Sequence, residues 1–193
     1  MTETAASNSA DLKKLGELIK DVKFAMLTSQ SSDSSLNSRP LTTLQVEFDG
    51  TLWFLVNWDS EKVHEMQQNP RVNVGYAKPD EGEYVSVSGI ARIERNPAKA
   101  QELWTAAAKP WFPGGATDPG LAVLSVHVQT AEYWEAAHSK VMRLVGLARA
   151  MISGDPGSLG ENRKVEVHSE RAEVHSERAQ VHSERAEAHS ERA

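Results

Sequence analysis

The chain has 193 residues, 39% of them hydrophobic, a formal net charge of −6 and no cysteine. That length suits one domain with a real core and an appendage, while the missing cysteines exclude disulfides, thiolate metal ligands and thiol redox chemistry. No apolar run approaches the ~18 residues of a membrane span, and the acidic balance gives no general attraction to nucleic acid or anionic lipid, so any anion site has to be local.

In chain order, the N-terminal stretch is polar and lacks the apolar core of a signal peptide, which reads as a cytoplasmic protein. Leu12, Leu15, Leu18, Ile19 and Val22 mark one face of an opening helix, with Asp11 near its start. Lys23 to Thr28 reads as a strand and the Ser-rich stretch from Ser29 to Ser35 as a loop. Ser38 to Phe48 and Thr51 to Asn57 flank Asp49-Gly50, the strongest short hairpin signal in the chain, so these two strands are expected to pair. A short helix is expected from Ser60 to Gln68, stopping at Asn69-Pro70.

Strand patterns follow at Val72 to Ala77 and Tyr84 to Glu94, with a turn at Pro79-Asp80-Glu81-Gly82 between them. Pro97 opens a helix through Ala108, Lys109 to Gly120 is a Pro/Gly loop, and Ala122 to Trp134 is a last long strand. Six or so strands joined by tight turns, with a few uneven helices, point to a mainly β fold: an antiparallel barrel with α additions. The domain is expected over residues 1–153, with residues 154–193 as linker and tail.

The tail repeats a heptad four times from Val167 onward. Its Val and Ala lie five residues apart in each unit, about 140° around a helix, so no coiled-coil seam forms. His168, His175, His182 and His189 recur every seven residues, about 10 Å along a helix, too far apart to share a metal. The tail is therefore expected to be disordered or marginally helical.

Within the body, His64, His127 and His138 stand far apart without a nearby acidic pair, so no metal-site spacing occurs. There is no dinucleotide fingerprint, phosphate-binding P-loop or nucleophile elbow. Chemistry borne by a cofactor gains weight from that result.

Three polar or aromatic clusters stand out. In Trp58-Asp59-Ser60-Glu61-Lys62-Val63, a helix cap at Asp59 and a staple between Trp58 and Val63 need no ligand. That reading does not account for Lys62, a cation in the first turn that opposes the helix dipole; a bound phosphate would reverse the sign, and Glu61 counts against one, so a cap alone and an anion site both stand. Ser38-Arg39-Pro40-Leu41-Thr42-Thr43, folded back across Asp49-Gly50, reads either as an arginine and two threonines supplied to the same place or as an exposed arginine on a half-wet strand. Trp111-Phe112 in the Pro/Gly loop is either a lid over the core or a cofactor wall. Together the three suggest a phosphorylated aromatic ligand.

These stretches, with Leu52-Trp53-Phe54, Asn69-Pro70-Arg71-Val72, Tyr84-Val85-Ser86-Val87-Ser88-Gly89 and Glu132-Tyr133-Trp134, resemble the pyridoxamine 5'-phosphate oxidase-like FMN-binding split-barrel group. More narrowly, the chain resembles its general stress protein 26 branch, over most of residues 10–150. The resemblance implies a six-stranded antiparallel split barrel with peripheral helices, and a homodimer with one FMN at each interface. FAD or another flavin is the alternative cofactor. By the same resemblance Arg39, Ser60 and Lys62 would hold the phosphate, and Thr42 and Thr43 the ribityl chain or ring edge. Leu55 and Val56 would line the isoalloxazine, and Tyr84 stands where the oxidases place a polar flavin contact. Trp111 and Phe112 would close the pocket from the partner chain.

Three departures separate the chain from the oxidases. Leu44 stands where they carry a lysine, Glu61 where they carry a basic residue, and Lys140 and Met142 where they carry an Arg-x-His pair for the vitamin B6 substrate. The resemblance then implies an FMN-dependent oxidoreductase or reductase with an unknown small-molecule substrate. The alternatives are a flavin-binding sensor or storage module without turnover, and a pyridoxamine 5'-phosphate oxidase. No catalytic acid or base is assigned.

Overall fold

The computed structural model describes residues 2–44, 47–136 and 160–166, and the side chains of 10–44, 47–136 and 163–165. Helix α1 (Thr2–Ile19) leads into β1 (Phe24–Gln30), β2 (Leu36–Thr42) and β3 (Thr51–Asn57). Helix α2 (Glu61–Gln68) precedes β4 (Arg71–Lys78) and β5 (Glu83–Glu94); α3 (Pro97–Leu103) precedes β6 (Leu121–Ala136) and β7 (Gly160–Glu166). All pairings are antiparallel, in the order β2-β1-β4-β5-β6-β3, with β7 also on β6. The end strands β2 and β3 touch but share no ladder, so the sheet curls into a barrel that stays split between them.

Period-two alternation builds the core: Ala25, Leu27, Val74, Tyr76, Val85 and Val87 face inward with Phe54 and Val56, and α1 adds Leu15 and Leu18. Residues 121–126 of β6 are buried without alternation, because both faces are covered. Outside β3 and β6, α3 and the Pro/Gly loop close a second core of Leu103, Phe112, Leu121 and Val123 against Trp53 and Leu55. One edge of β6 carries β3 along its first half and β7 along its second.

Two expectations change. The Asp49-Gly50 turn exists, with Gly50 at φ 96° and Thr51 N–H donating to Asp49 Oδ1 at 3.0 Å, but it does not make a hairpin. Instead β2 pairs with β1 around the Ser-rich loop, and β3 pairs with β6. The reason lies in the side chains. Strand β3 offers apolar groups on both faces and takes an interior neighbour, whereas β2 is half polar and carries Pro40, which lacks an N–H and suits an edge. The second change is the strand count: β7, at Gly160–Glu166, adds a seventh strand from the stretch read as linker, so the sheet does not end at residue 153. The heptad repeats from Val167 onward lie outside the described residues.

Candidate functional site

Arg39 lies on the inward side of β2, opposite Leu27 of β1, at the barrel end covered by α2. Helix α2 turns Val63, Glu65 and Met66 inward. Glu65 is only 5% exposed, so its carboxylate needs partners, and the barrel supplies them. Arg39 donates from Nη1 and Nη2 to Glu65 Oε2, at 2.9 Å each. Ser29 Oγ donates to the same oxygen at 2.5 Å and accepts from Arg39 Nη1 at 2.6 Å. Asn37 Nδ2 donates to Glu65 Oε1 at 2.8 Å. Burial alone would raise the Glu65 carboxyl. The hydrogen bonds from Ser29, Asn37 and Arg39, with the arginine charge, outweigh burial and hold it below the ordinary carboxylate range.

Lys62 stands one turn before Glu65, half-buried, and forms no ion pair among the described residues. Burial first, and then the nearby Arg39 charge, push its ammonium below the ordinary lysine range. Arg39 and Lys62 are thus brought together as expected, but by α2 packing on β1 rather than by a β2–β3 hairpin.

The helix start also differs in detail. The N-cap is Ser60, not Asp59, and its side chain makes no capping bond; Ser60 Oγ donates to the Asn57 carbonyl at 2.6 Å. Asp59 is exposed, its N–H held by Asn57 Oδ1 at 2.9 Å. The side-chain amide of Asn57 thus turns the chain ahead of the helix and displaces the cap by one residue. Trp58 packs on the core that contains Val63, and Arg95 covers its ring at 4.6 Å from the centroid. Glu61 is exposed. Among the described residues, the first-turn N–H groups of Glu61 and Lys62 therefore have no side-chain acceptor.

The other expected residues are spread wider. Thr42 is half-buried at the end of β2, and Thr43 spends its hydroxyl proton on the Val22 carbonyl. Val56 points into the barrel, so its side chain cannot line the same surface as Leu55. Phe112 is buried with Leu55 and Leu44 in the chain's own second core, leaving Trp111, 64% exposed, as the aromatic presented outward. Tyr84 faces the outside of β5, opposite Trp134 of β6 and away from Arg39. The loop bearing Trp111 is still tied to the helix start, since Trp58 N–H donates to the Gly120 carbonyl at 2.8 Å. His138, Lys140 and Met142 lie outside the described residues.

Sequence reasoning missed Ser29, Asn37 and Glu65. The signal was parity: Ser29 continues the inward positions Ala25 and Leu27, and Asn37 and Arg39 share the inward positions of β2 with Leu41. Among the described residues no cluster of His, Asp and Glu could hold a metal, and no helix is long and apolar enough to cross a membrane.

The profile of the family described as pyridoxamine 5'-phosphate oxidase like matches residues 10–156. Protein bli-3 of Neurospora crassa is 26% identical over 174 residues, covering 83% of each chain. Among solved structures, a general stress protein 26 from Jannaschia sp. CCS1 superposes with a TM-score of 0.65 at 21% identity, over 81% of this chain and 99% of that one. The general stress FMN/FAD binding protein from the phytopathogen Xanthomonas citri gives 0.58 at 27% identity, over 66% of this chain and 90% of that one.

Proposed function

The chain belongs to the pyridoxamine 5'-phosphate oxidase like family, and on that premise we propose that it binds FMN and serves in oxidoreduction of a small molecule, as a protein of the general stress type. The observation that carries this reading is the meeting of Arg39 and Lys62. Two cations that repel, one without a counter-ion among the described residues, destabilise the flavin-free chain and are relieved by a phosphate dianion. The donor set suits that group: guanidinium, ammonium, and two N–H groups at a helix start. Glu61, the adverse charge, is exposed to solvent. The Xanthomonas citri likeness supports a flavin as the body attached to the phosphate.

We assign Ser60, Lys62 and Arg39 to the phosphate, and Thr42 and Thr43 to the ribityl chain or ring edge, Thr43 through its lone pairs. Strand β3, at one end of the sheet path, adds the side chain of Leu55 and the backbone of Val56. Flavin, when bound, supplies the electron and hydride transfer; the chain's own groups hold its anionic end, fix its orientation and limit solvent access.

The reading includes a homodimer whose partner closes the flavin site, with Trp111 and Tyr84 as the aromatics offered across the interface. It is supported by the outward face of the sheet, where Phe24 and Met26 of β1 are exposed, as are Tyr84 of β5 and Trp134 of β6, with β4 between the two pairs. The absence of cysteine suits a reducing, cytoplasmic setting.

The test is titration of FMN into flavin-free protein, followed by flavin fluorescence. Saturable quenching that Arg39→Ala and Lys62→Ala weaken at least about tenfold is expected, the size of a lost charge-assisted contact. A protein that binds no flavin overturns the proposal. Repeated bleaching by a nicotinamide cofactor with reoxidation identifies an oxidoreductase. Binding without turnover identifies a sensor or store, and formation of pyridoxal phosphate identifies a vitamin B6 oxidase.

A further inference from the structure

A guanidinium has five N–H donors. In Arg39 two of them are committed: one on Nη1, shared by Ser29 Oγ and Glu65 Oε2, and one on Nη2, to Glu65 Oε2. Because one carboxylate oxygen sits between Nη1 and Nη2, it takes the end of the fork. The remaining donors include Nε–H and the outer Nη2–H, a parallel pair along the other edge, and neither has an acceptor among the described residues. That edge matches two oxygens of a phosphate.

Glu65 in turn cannot swing. Ser29 of β1 and Asn37 of β2 hold its two oxygens, and its stem is packed between Val63 and Met66 on the buried face of α2. A carboxylate beside an anion site is adverse on charge alone, so its place here is explained by geometry rather than by attraction to the ligand. A free arginine side chain loses rotamer entropy when a ligand orders it, and fixing it before the ligand arrives removes that cost from binding.

We propose that Glu65 is a positioning residue: it grips Arg39 by the fork end and presents the Nε–Nη2 edge, beside Lys62, to the phosphate of the flavin. The inference rests on the assignment of Arg39 to that phosphate. It adds that Ser29, Asn37 and Glu65, which do not themselves touch the ligand, set the site's preference for a phosphorylated flavin.

Two substitutions separate position from charge. Glu65→Gln removes the charge but keeps an oxygen where Oε2 stands, and Asn37 can flip its amide to face the new NH2. Glu65→Asp keeps the charge but is one methylene too short to reach the guanidinium. The affinities for FMN and for riboflavin, which lacks the phosphate, are measured on each full-length variant, and their ratio is the readout. The ratio is expected to fall about tenfold in Glu65→Asp and to stay within about threefold of the parent in Glu65→Gln, a lost bidentate contact being worth about one decade.

Ser29→Ala, which deletes one hydroxyl shared by Arg39 and Glu65, is expected to lower the ratio in the same direction and gives the reading should Glu65→Asp fail to fold. An unchanged ratio in Glu65→Asp or Ser29→Ala, with Arg39→Ala collapsing it, overturns the positioning role. So does a rise in the ratio on loss of the carboxylate charge. If Arg39→Ala itself leaves the ratio unchanged, the phosphate assignment fails instead.

Discussion

The buried carboxylate of Glu65 takes both terminal nitrogens of Arg39 on a single oxygen, at 2.9 Å each. This contact joins an edge strand to a helix that lies 26 residues further along the chain. It also determines which direction the arginine faces, and it places a second cation, Lys62, within reach of the first. On the proposed phosphate assignment, one ion pair couples stability to ligand affinity.

Acid should weaken this coupling. The Glu65 carboxyl is depressed in the folded chain, so its contribution to stability is complete above the ordinary carboxylate range near pH 4.5 and is lost as pH falls through the lower folded value. Thermal melting between pH 7 and pH 3 should show a steeper loss in the parent than in Glu65→Gln. At pH 7 Glu65→Gln should be less stable by about 2 kcal/mol, since one buried partner loses its charge while the other keeps it. The two curves should converge at the acid end. Parallel curves would mean that the ion pair contributes nothing to folding.

Lys62 makes the opposite prediction. Its depressed ammonium shows that burial and the Arg39 charge disfavour the charged form, so at neutral pH the folded chain carries a penalty that a neutral side chain would not. The penalty is present below the folded value and is relieved only as pH rises through it. Lys62→Gln should thus stabilise the flavin-free protein by about a few tenths of a kcal/mol, read as a higher melting temperature, once solvent screening of a half-buried group is allowed for. The same change should lower FMN affinity. A gain in both properties would remove Lys62 from the binding site.

Much of this was legible in the sequence, and the remainder was hidden for definable reasons. Lys62 is conspicuous because a cation in the first turn contradicts the helix dipole, and of the expected site residues it is the Arg39 charge that acts on it. The Asp49-Gly50 turn was recognised, but turn chemistry specifies a backbone reversal and says nothing of which strand lies alongside. The partner of β3 was settled by apolar groups on both its faces, which fit only beside β6. The partners of Arg39 come from β1 and from the buried side of α2, where a serine, an asparagine and a glutamate read as polar surface until the inward parity of each is known.

The β5–β6 ladder should be intolerant of one added methyl. The register shifts between Ser88 and Gly89, and a Cβ on Gly89 would lie 2.4 Å from the His127 carbonyl oxygen and 2.9 Å from a methyl of Val126. Neither neighbour can give way, since one is backbone within the ladder and the other is in the core. Gly89→Ala should cost about 2–3 kcal/mol, as overpacking does. Gly75→Ala is the control: its Cβ would meet nothing closer than 3.9 Å, and the change should lie within about 0.5 kcal/mol of the parent. Urea denaturation of the flavin-free chains measures both, and equal costs would refute the steric account.

Tyr76 should be improvable. Its ring fills the barrel among Val74, Val85 and Tyr133, only 4% exposed, while its hydroxyl has no hydrogen-bond partner among the described residues. Burial pushes the phenol far above its ordinary range, so the group stays neutral and the penalty is that of a desolvated hydroxyl at every working pH. An unmet hydroxyl in an apolar setting costs about 1–3 kcal/mol, and the ring alone supplies the packing. Tyr76→Phe should therefore raise stability by about 1 kcal/mol in urea denaturation, with no change in FMN affinity. Destabilisation by a similar amount would show that the hydroxyl has a partner in the folded protein, and that the barrel interior is more polar than its aliphatic lining indicates.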